Sequence, residues 1–247
     1  MITLRSDLHI HTLLSPCGDL DMTPAAIVQR AIEKGLHLIG ITDHNSTRQA
    51  MLVKELGAEQ GLYVLCGAEI NTREEVHCLT FFDEESAISE FQDFIDKNLS
   101  DIENDPLRFG HQVQVDREEN IVYIEKKLLI TALHAGIDEI ETEVHRLGGL
   151  FIPAHVDRTR FSLISQLGFI PADLRADALE ISAANCHPEA LAPYRIMFPG
   201  AFITGSDAHY SHQIGNHYTE FTIKDISLAE ITMALKNQGG RFIKKLL

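Results

Sequence analysis

Leu4-Arg5-Ser6-Asp7-Leu8-His9-Ile10-His11-Thr12 decides the reading of this chain. Residues around Leu4 lead into a short strand, and side chains alternate with period two, so His9 and His11 share one face as a chelating pair. The turn-rich Ser15-Pro16-Cys17-Gly18-Asp19 follows. Thr23-Pro24 then opens a helix with Thr23 as N-cap and Ile27, Val28, Ala31 and Ile32 as its apolar stripe, ended by Gly35. Further strands are expected at Leu36–Thr42, Leu62–Cys66, Val76–Phe82, Leu150–Pro153, Ala178–Ile181 and Ala201–Thr204. A helical stretch from about Arg48 to Glu59 lies between two of them. Another carries Ile137, Ile140, Val144 and Leu147 and stops at Gly148-Gly149.

Seven strand signals separated mostly by helices predict an α/β fold with parallel strands. No linker or composition shift divides the chain, so one domain over residues 1–247 is expected. Alternation lapses at about 83–136, which reads as an insertion holding a small hairpin, Val113–Val115 with Ile121–Ile124. The insertion either overhangs the site mouth or buttresses the flank. Just past the expected strands stand His9 and His11, Asp43-His44, Glu69, His155, and Asp207 with His209, while His77 lies within its strand. Strand ends converge on one face of a β/α barrel, so these residues favour a barrel and a metal site together.

The composition is that of an ordinary globular protein, with 45% hydrophobic and 23% charged residues. No apolar run reaches membrane length, and Met1 to Thr12 meets polar residues before any signal-type apolar core. A cytoplasmic protein with no membrane partner is expected. The formal charge of −15 repels polyanions, so no long nucleic acid is expected as a partner. Cys17, Cys66, Cys78 and Cys186 form no C-x-x-C pair and read as reduced thiols. There is no phosphate-binding loop, dinucleotide fingerprint or serine-hydrolase elbow.

Asp7-Leu8-His9-Ile10-His11-Thr12, Ile41-Thr42-Asp43-His44-Asn45, Glu69, Pro153-Ala154-His155 and Ser206-Asp207-Ala208-His209 resemble the ordered motifs of the PHP family, the polymerase and histidinol phosphatase domain. The resemblance spans about residues 4–212. It implies a distorted (β/α)7 TIM-like barrel with a three-metal site that hydrolyses phosphoesters. Carried over by position, His9, His11, Glu69 and Asp207 hold a first ion, and Glu69 bridges to a second completed by His77 and His155. Asp19, His44 and His209 take a third, with Asp21 a rival to Asp19. Cys17 reads as a small buried residue and not a ligand.

The resemblance implies two or three divalent ions, zinc, manganese or iron, whose charge outweighs the carboxylates of Asp19, Glu69 and Asp207. Such a cup suits an anionic phosphate and activates water. Glu69, Asp207 and His209 are the expected catalytic set, and Arg158 and His187 the expected substrate contacts, with Arg160 close by. The expected activity is metal-dependent hydrolysis of a small phosphomonoester or nucleotide-type ester. An amidohydrolase-like hydrolase is the rival, though no strand-end lysine suits it. A regulatory module that keeps the metals without catalysis is the non-enzyme alternative.

Overall fold

The computed structural model describes residues 1–246. Its strands are β1 (Ile2–Ile10), β2 (Leu38–Ile41), β3 (Tyr63–Asn71), β4 (His77–Phe82), β5 (Val113–Val115), β6 (Ile121–Ile124), β7 (Leu150–Pro153), β8 (Ala178–Glu180), β9 (Ala201–Ile203), β10 (Thr219–Ile223) and β11 (Phe242–Leu246). Its helices are α1 (Pro24–Glu33), α2 (Ala50–Glu59), α3 (Glu85–Asn98), α4 (Pro106–Phe109), α5 (Ile137–Arg146), α6 (Leu163–Leu167), α7 (Pro188–Met197) and α8 (Leu228–Leu235). No helix among the described residues is long and apolar enough to cross a membrane.

Seven strands form one curled half-barrel in the order β11-β10-β1-β2-β3-β4-β7, β5 pairs with β6, and β8 pairs with β9. All seven strands expected from sequence are present, but they do not make a uniformly parallel sheet. β1-β2 and β2-β3 are parallel, whereas β4 is antiparallel to both β3 and β7. The reason is connection length. Only residues 72–76 join β3 to β4, and a parallel pair needs a crossover of a dozen or more residues. β10 and β11, antiparallel additions on the other side of β1, complete the half-barrel. Ladder hydrogen bonds do not close the ring among the described residues. Single backbone bonds carry the curl onward instead, from Asp177 N to Phe151 O and from Val156 N to Glu180 O, both 2.9 Å.

Period-two alternation divides the apolar side chains between two cores. Leu4, Leu8, Leu38, Leu65, Leu79, Phe81, Ile152 and Phe221 fill the concave side, closed by α8 through Leu228 and Ile231. Ile39, Ile41, Val64, Cys66 and Phe82 face the outer helices with Ile27, Val28, Val53, Phe91 and Val144. Helix α1 begins as its capping chemistry dictates, with Thr23 Oγ1 accepting from Ala26 N at 3.2 Å and Pro24 in the first turn.

The lapse in alternation starts later than expected. Residues 85–98 form α3, an ordinary outer helix whose Ala87, Ile88, Phe91 and Ile95 are buried. The irregular stretch is therefore about 99–136. It packs against the loops that follow β1 and β2: Leu13 joins Val113 and Val115 in a small core, and Asn45 Nδ2 donates to Leu129 O and Thr131 O at 2.6 and 2.8 Å. It lies beside the rim through these contacts.

Candidate metal centre

A register shift between Asp7 and Ile10 sets the aim of the first histidine pair. Leu8 lies in the concave core and Ile10 in the outer one, although a regular strand would put both on one face. The irregularity resets the alternation there, and His9 and His11 turn into the cup. Ala208 is bridged to Ile10, and His44 to Glu69, so the loops after β9 and β2 meet β1 and β3 at the same end. Gly205 makes the approach possible: a Cβ there would stand 2.9 Å from the Cβ of His9.

Three donor groups result: His9, His11, Glu69 and Asp207; His44, Glu69 and His77; and His11, His44 and His209. In the first, His9 Nε2 lies 3.3 Å from Glu69 Oε1, Asp207 Oδ1 and His11 Nε2. His11 Nε2 lies 3.3 Å from Glu69 Oε2 and 3.2 Å from Asp207 Oδ1. Four donors around an ion at bond lengths of about 2.0 Å stand about 3.3 Å apart, so the spacing fits a divalent cation. Glu69 also receives His77 Nδ1 at 2.9 Å and His155 Nε2 at 3.1 Å, and His44 Nδ1 lies 3.1 Å from its other oxygen. His44 Nδ1 and His155 Nδ1 are buried without a hydrogen-bond partner.

The far nitrogen of each key imidazole is committed, and this fixes the near one. His9 Nδ1 meets both oxygens of Glu180 at 3.0 and 3.1 Å, and a carboxylate only accepts, so Nδ1 carries a proton and Nε2 is the nitrogen left to face a cation. Ser15 Oγ gives its one proton to Asp43 at 2.7 Å and therefore accepts from His11 Nδ1 at 3.0 Å. His209 Nδ1 donates to the carbonyl of Asp207 at 2.9 Å. Asp43 also takes Thr12 N and Oγ1, both at 2.7 Å. Asp7 instead accepts from the backbone of Ser206 and Gly215, tying the loop after β9 to β1.

The electrostatics ask for a cation. Burial would raise Glu69, yet His77, His9 and His44 hold its carboxyl well below the usual range. Asp207, likewise buried, is held low chiefly by His9 and His11. Burial alone would depress His9, but Glu180, Asp207 and Glu69 raise it well above an ordinary imidazole, and Asp207 and Glu69 raise His11 to about 9. The potential that draws protons onto these two rings is the one that favours a divalent ion. Burial and the neighbouring His11 pull His209 down to about 4, leaving it neutral.

Of the nine expected ligands, the three groups contain His9, His11, His44, Glu69, His77, Asp207 and His209; His155 joins them only through its hydrogen bond to Glu69, and Asp19 stays outside. Asp19 bonds to the His209 carbonyl through its backbone, and its carboxylate folds back on Asp21 N at 2.9 Å. Asp21 is exposed. Cys17 is exposed too, and it joins no donor group. His187 is not at the site. It caps α7, accepting from Ala190 N, and lines a separate cavity of about 1630 Å³ between β9 and β11. Arg158 is at the site, with Nη1 2.6 Å from Asp207 Oδ2. It lines a cavity of about 520 Å³ with Arg160, Phe161 and the donors His44, Glu69, His77, His155, Asp207 and His209. Sequence reasoning passed over Glu180 and Ser15. An acid ending β8 was a visible signal for the first, but nothing local marks a serine that locks an imidazole.

Strained backbone gathers here as well. Asn45, His155, Phe161 and Asp207 have φ of 45°, 31°, 54° and 51°, values uncommon away from glycine and typical of functional sites.

Such donors at one end of a curled α/β sheet define a metal-dependent hydrolase. The chain belongs to the PHP family: the PHP domain model matches residues 7–162, and a PHP-associated model matches residues 198–238. It is 26% identical over 275 residues to the uncharacterized protein YqxK of Bacillus subtilis, covering 98% of this chain and 64% of that protein. It superposes on the lesion-specific endonuclease Q of Pyrococcus furiosus with a TM-score of 0.69 at 22% identity, over 98% of this chain and 58% of that one. A complex of endonuclease Q with a 27-mer duplex carrying an abasic lesion at its active site matches at the same values. The chain thus spans about three fifths of the length of these relatives. The complex overturns the expectation of a small phosphorylated partner with no long nucleic acid, because a protein of this fold holds duplex DNA at its active site. Net charge sums over a whole surface, whereas a substrate meets only the potential of the cup and its rim.

Proposed function

We propose that this chain is the catalytic unit of a metal-dependent phosphoesterase that hydrolyses phosphodiester bonds in nucleic acid. The donors His9, His11, Glu69 and Asp207 carry the reading, with the two Nε2 atoms 3.2–3.3 Å from each other and from oxygens of both carboxylates. The likeness to endonuclease Q and two arginines on the cavity wall support the substrate class. The same reading takes residues 1–247 as one domain, an open form of the (β/α)7 barrel.

Bound divalent ions polarise phosphate oxygens and lower the pKa of water. Glu69, shared between two donor groups, would hold ions in both; His44 and His77 would complete one of the two, with His155 on the same carboxylate. His209 turns its unprotonated Nε2 into the cup and acts as ligand or proton acceptor. Arg158 offers a forked guanidinium to two phosphate oxygens, a geometry lysine does not reproduce.

The test is to load the protein with zinc, manganese or iron and compare labelled oligonucleotides with a small phosphomonoester. The reading expects strand cleavage, lost with bound metal in Asp207→Asn. Turnover of the monoester alone would defeat the nucleic-acid assignment, and metal uptake without turnover of either would defeat the enzymatic one.

A further inference from the structure

We infer that Phe161 is a stacking platform for a nucleobase next to the scissile phosphodiester, an inference that rests on the nucleic-acid reading above. Phe161 follows Arg158 and Arg160 on the loop between β7 and α6, and all three line the 520 Å³ cavity. One face of its ring lies parallel to the imidazole of His77, at 4.8 Å between centroids and 16° between planes. The residue nevertheless remains 39% exposed.

The loop is not slack. Phe161 O accepts from His77 N at 2.9 Å, and the buried Ser162 bonds to Arg158 O at 2.7 Å and caps α6 through Ser165 N. The chain is thereby held with Phe161 in left-handed backbone, φ 54°, a conformation bulky residues rarely adopt. Apolar packing alone would drive a phenylalanine inward. Here the fold instead pins it in the wall of the cavity, flat against a donor imidazole and partly open to solvent.

Arg160 is exposed beside it and forms no ion pair among the described residues. A cation for the backbone and an aromatic ring for the base are the two parts of a single-strand nucleic-acid surface, and stacking tolerates any base because each has a π-face. The cavity volume is also that of ordinary ligand sites.

Two end-labelled single strands of equal length test this by anisotropy on metal-free and metal-loaded protein, one with bases throughout, the other abasic around its central phosphodiester. A third strand carries a fluorescent adenine analogue at that position. The native protein should bind the base-bearing strand at least about five-fold more tightly than the abasic one and quench the analogue. Phe161→Leu should erase both differences, and Phe161→Tyr should keep them. The platform is overturned if Phe161→Leu retains the preference, weakens both strands equally, or lowers metal stoichiometry, the last marking it as mere packing for His77. If the native protein binds neither strand, the nucleic-acid reading falls and the platform with it.

Discussion

The rim of the half-barrel has two sides built to different rules. Residues 11–16 after β1 and 42–47 after β2, which include His11 and His44, are buried and cross-braced. Asn45 is bonded to residues 129 and 131, Gln49 and Val115 exchange two bonds, and Gln92 of α3 accepts from Thr47 N at 2.7 Å. The loops after β7 and β9 are exposed at residues 158–161, which include Arg158, Arg160 and Phe161, and hold three of the left-handed residues, His155, Phe161 and Asp207. One side fixes imidazoles in place; the other presents cations and an aromatic ring to whatever enters. Both sides supply metal donors, His11 and His44 from one and His155, Asp207 and His209 from the other, but only the open side adds arginines and an aromatic ring, and residues 99–136 line no part of the 520 Å³ cavity.

The largest effect is expected at Glu180, where the two sides meet, since it takes His9 Nδ1 from one and His155 N from the other. Glu180→Gln keeps the shape but removes the charge that orients His9, and metal affinity should fall about 10- to 100-fold by calorimetric titration. Unchanged affinity would mean that the first donor group needs no outer support. Next comes stability. Asn45→Ala strips buried partners from Leu129, Thr131 and Asn71 and should cost about 1–2 kcal/mol in denaturant unfolding, whereas Arg160→Ala should stay within about 0.5 kcal/mol. Equal costs would erase the distinction between the braced and open sides.

The smallest effect is expected away from the rim. A hydrogen bond to Asp177 at 3.0 Å raises His145 above the ordinary imidazole value against partial burial, with Glu141 adding to it and Arg175 opposing. A raised histidine contributes stability that is full below about pH 6.5 and lost as pH rises through its folded value. His145→Gln should therefore destabilise the protein more in mild acid than in mild base. A gap that widens with pH would reverse the assignment.

Local signals account for most of what was readable beforehand. The strands β1 to β4 and β7 to β9, the hairpin β5-β6 and the start of α1 all announce themselves in β-branched runs, turn residues and a Thr-Pro cap, because those preferences act within a few residues. α3 was legible as well. Ile88, Phe91 and Ile95 repeat at helical spacing, but they lie in a stretch whose lost alternation drew attention away from period 3.6.

The sequence by itself determined the donor inventory: imidazoles and carboxylates at strand ends, with His9 and His11 spaced to share a face. Only the tertiary structure decided which of them converge. It set the β1 irregularity that turns the pair inward and made β4 antiparallel across a short turn. It brought Glu180 to His9 over 171 residues of separation, and it left Asp19 and His187 to backbone and capping roles. The physical reason is range. Propensity and alternation act along the chain, whereas a site is assembled from backbone register and loop bracing between segments that are far apart in it.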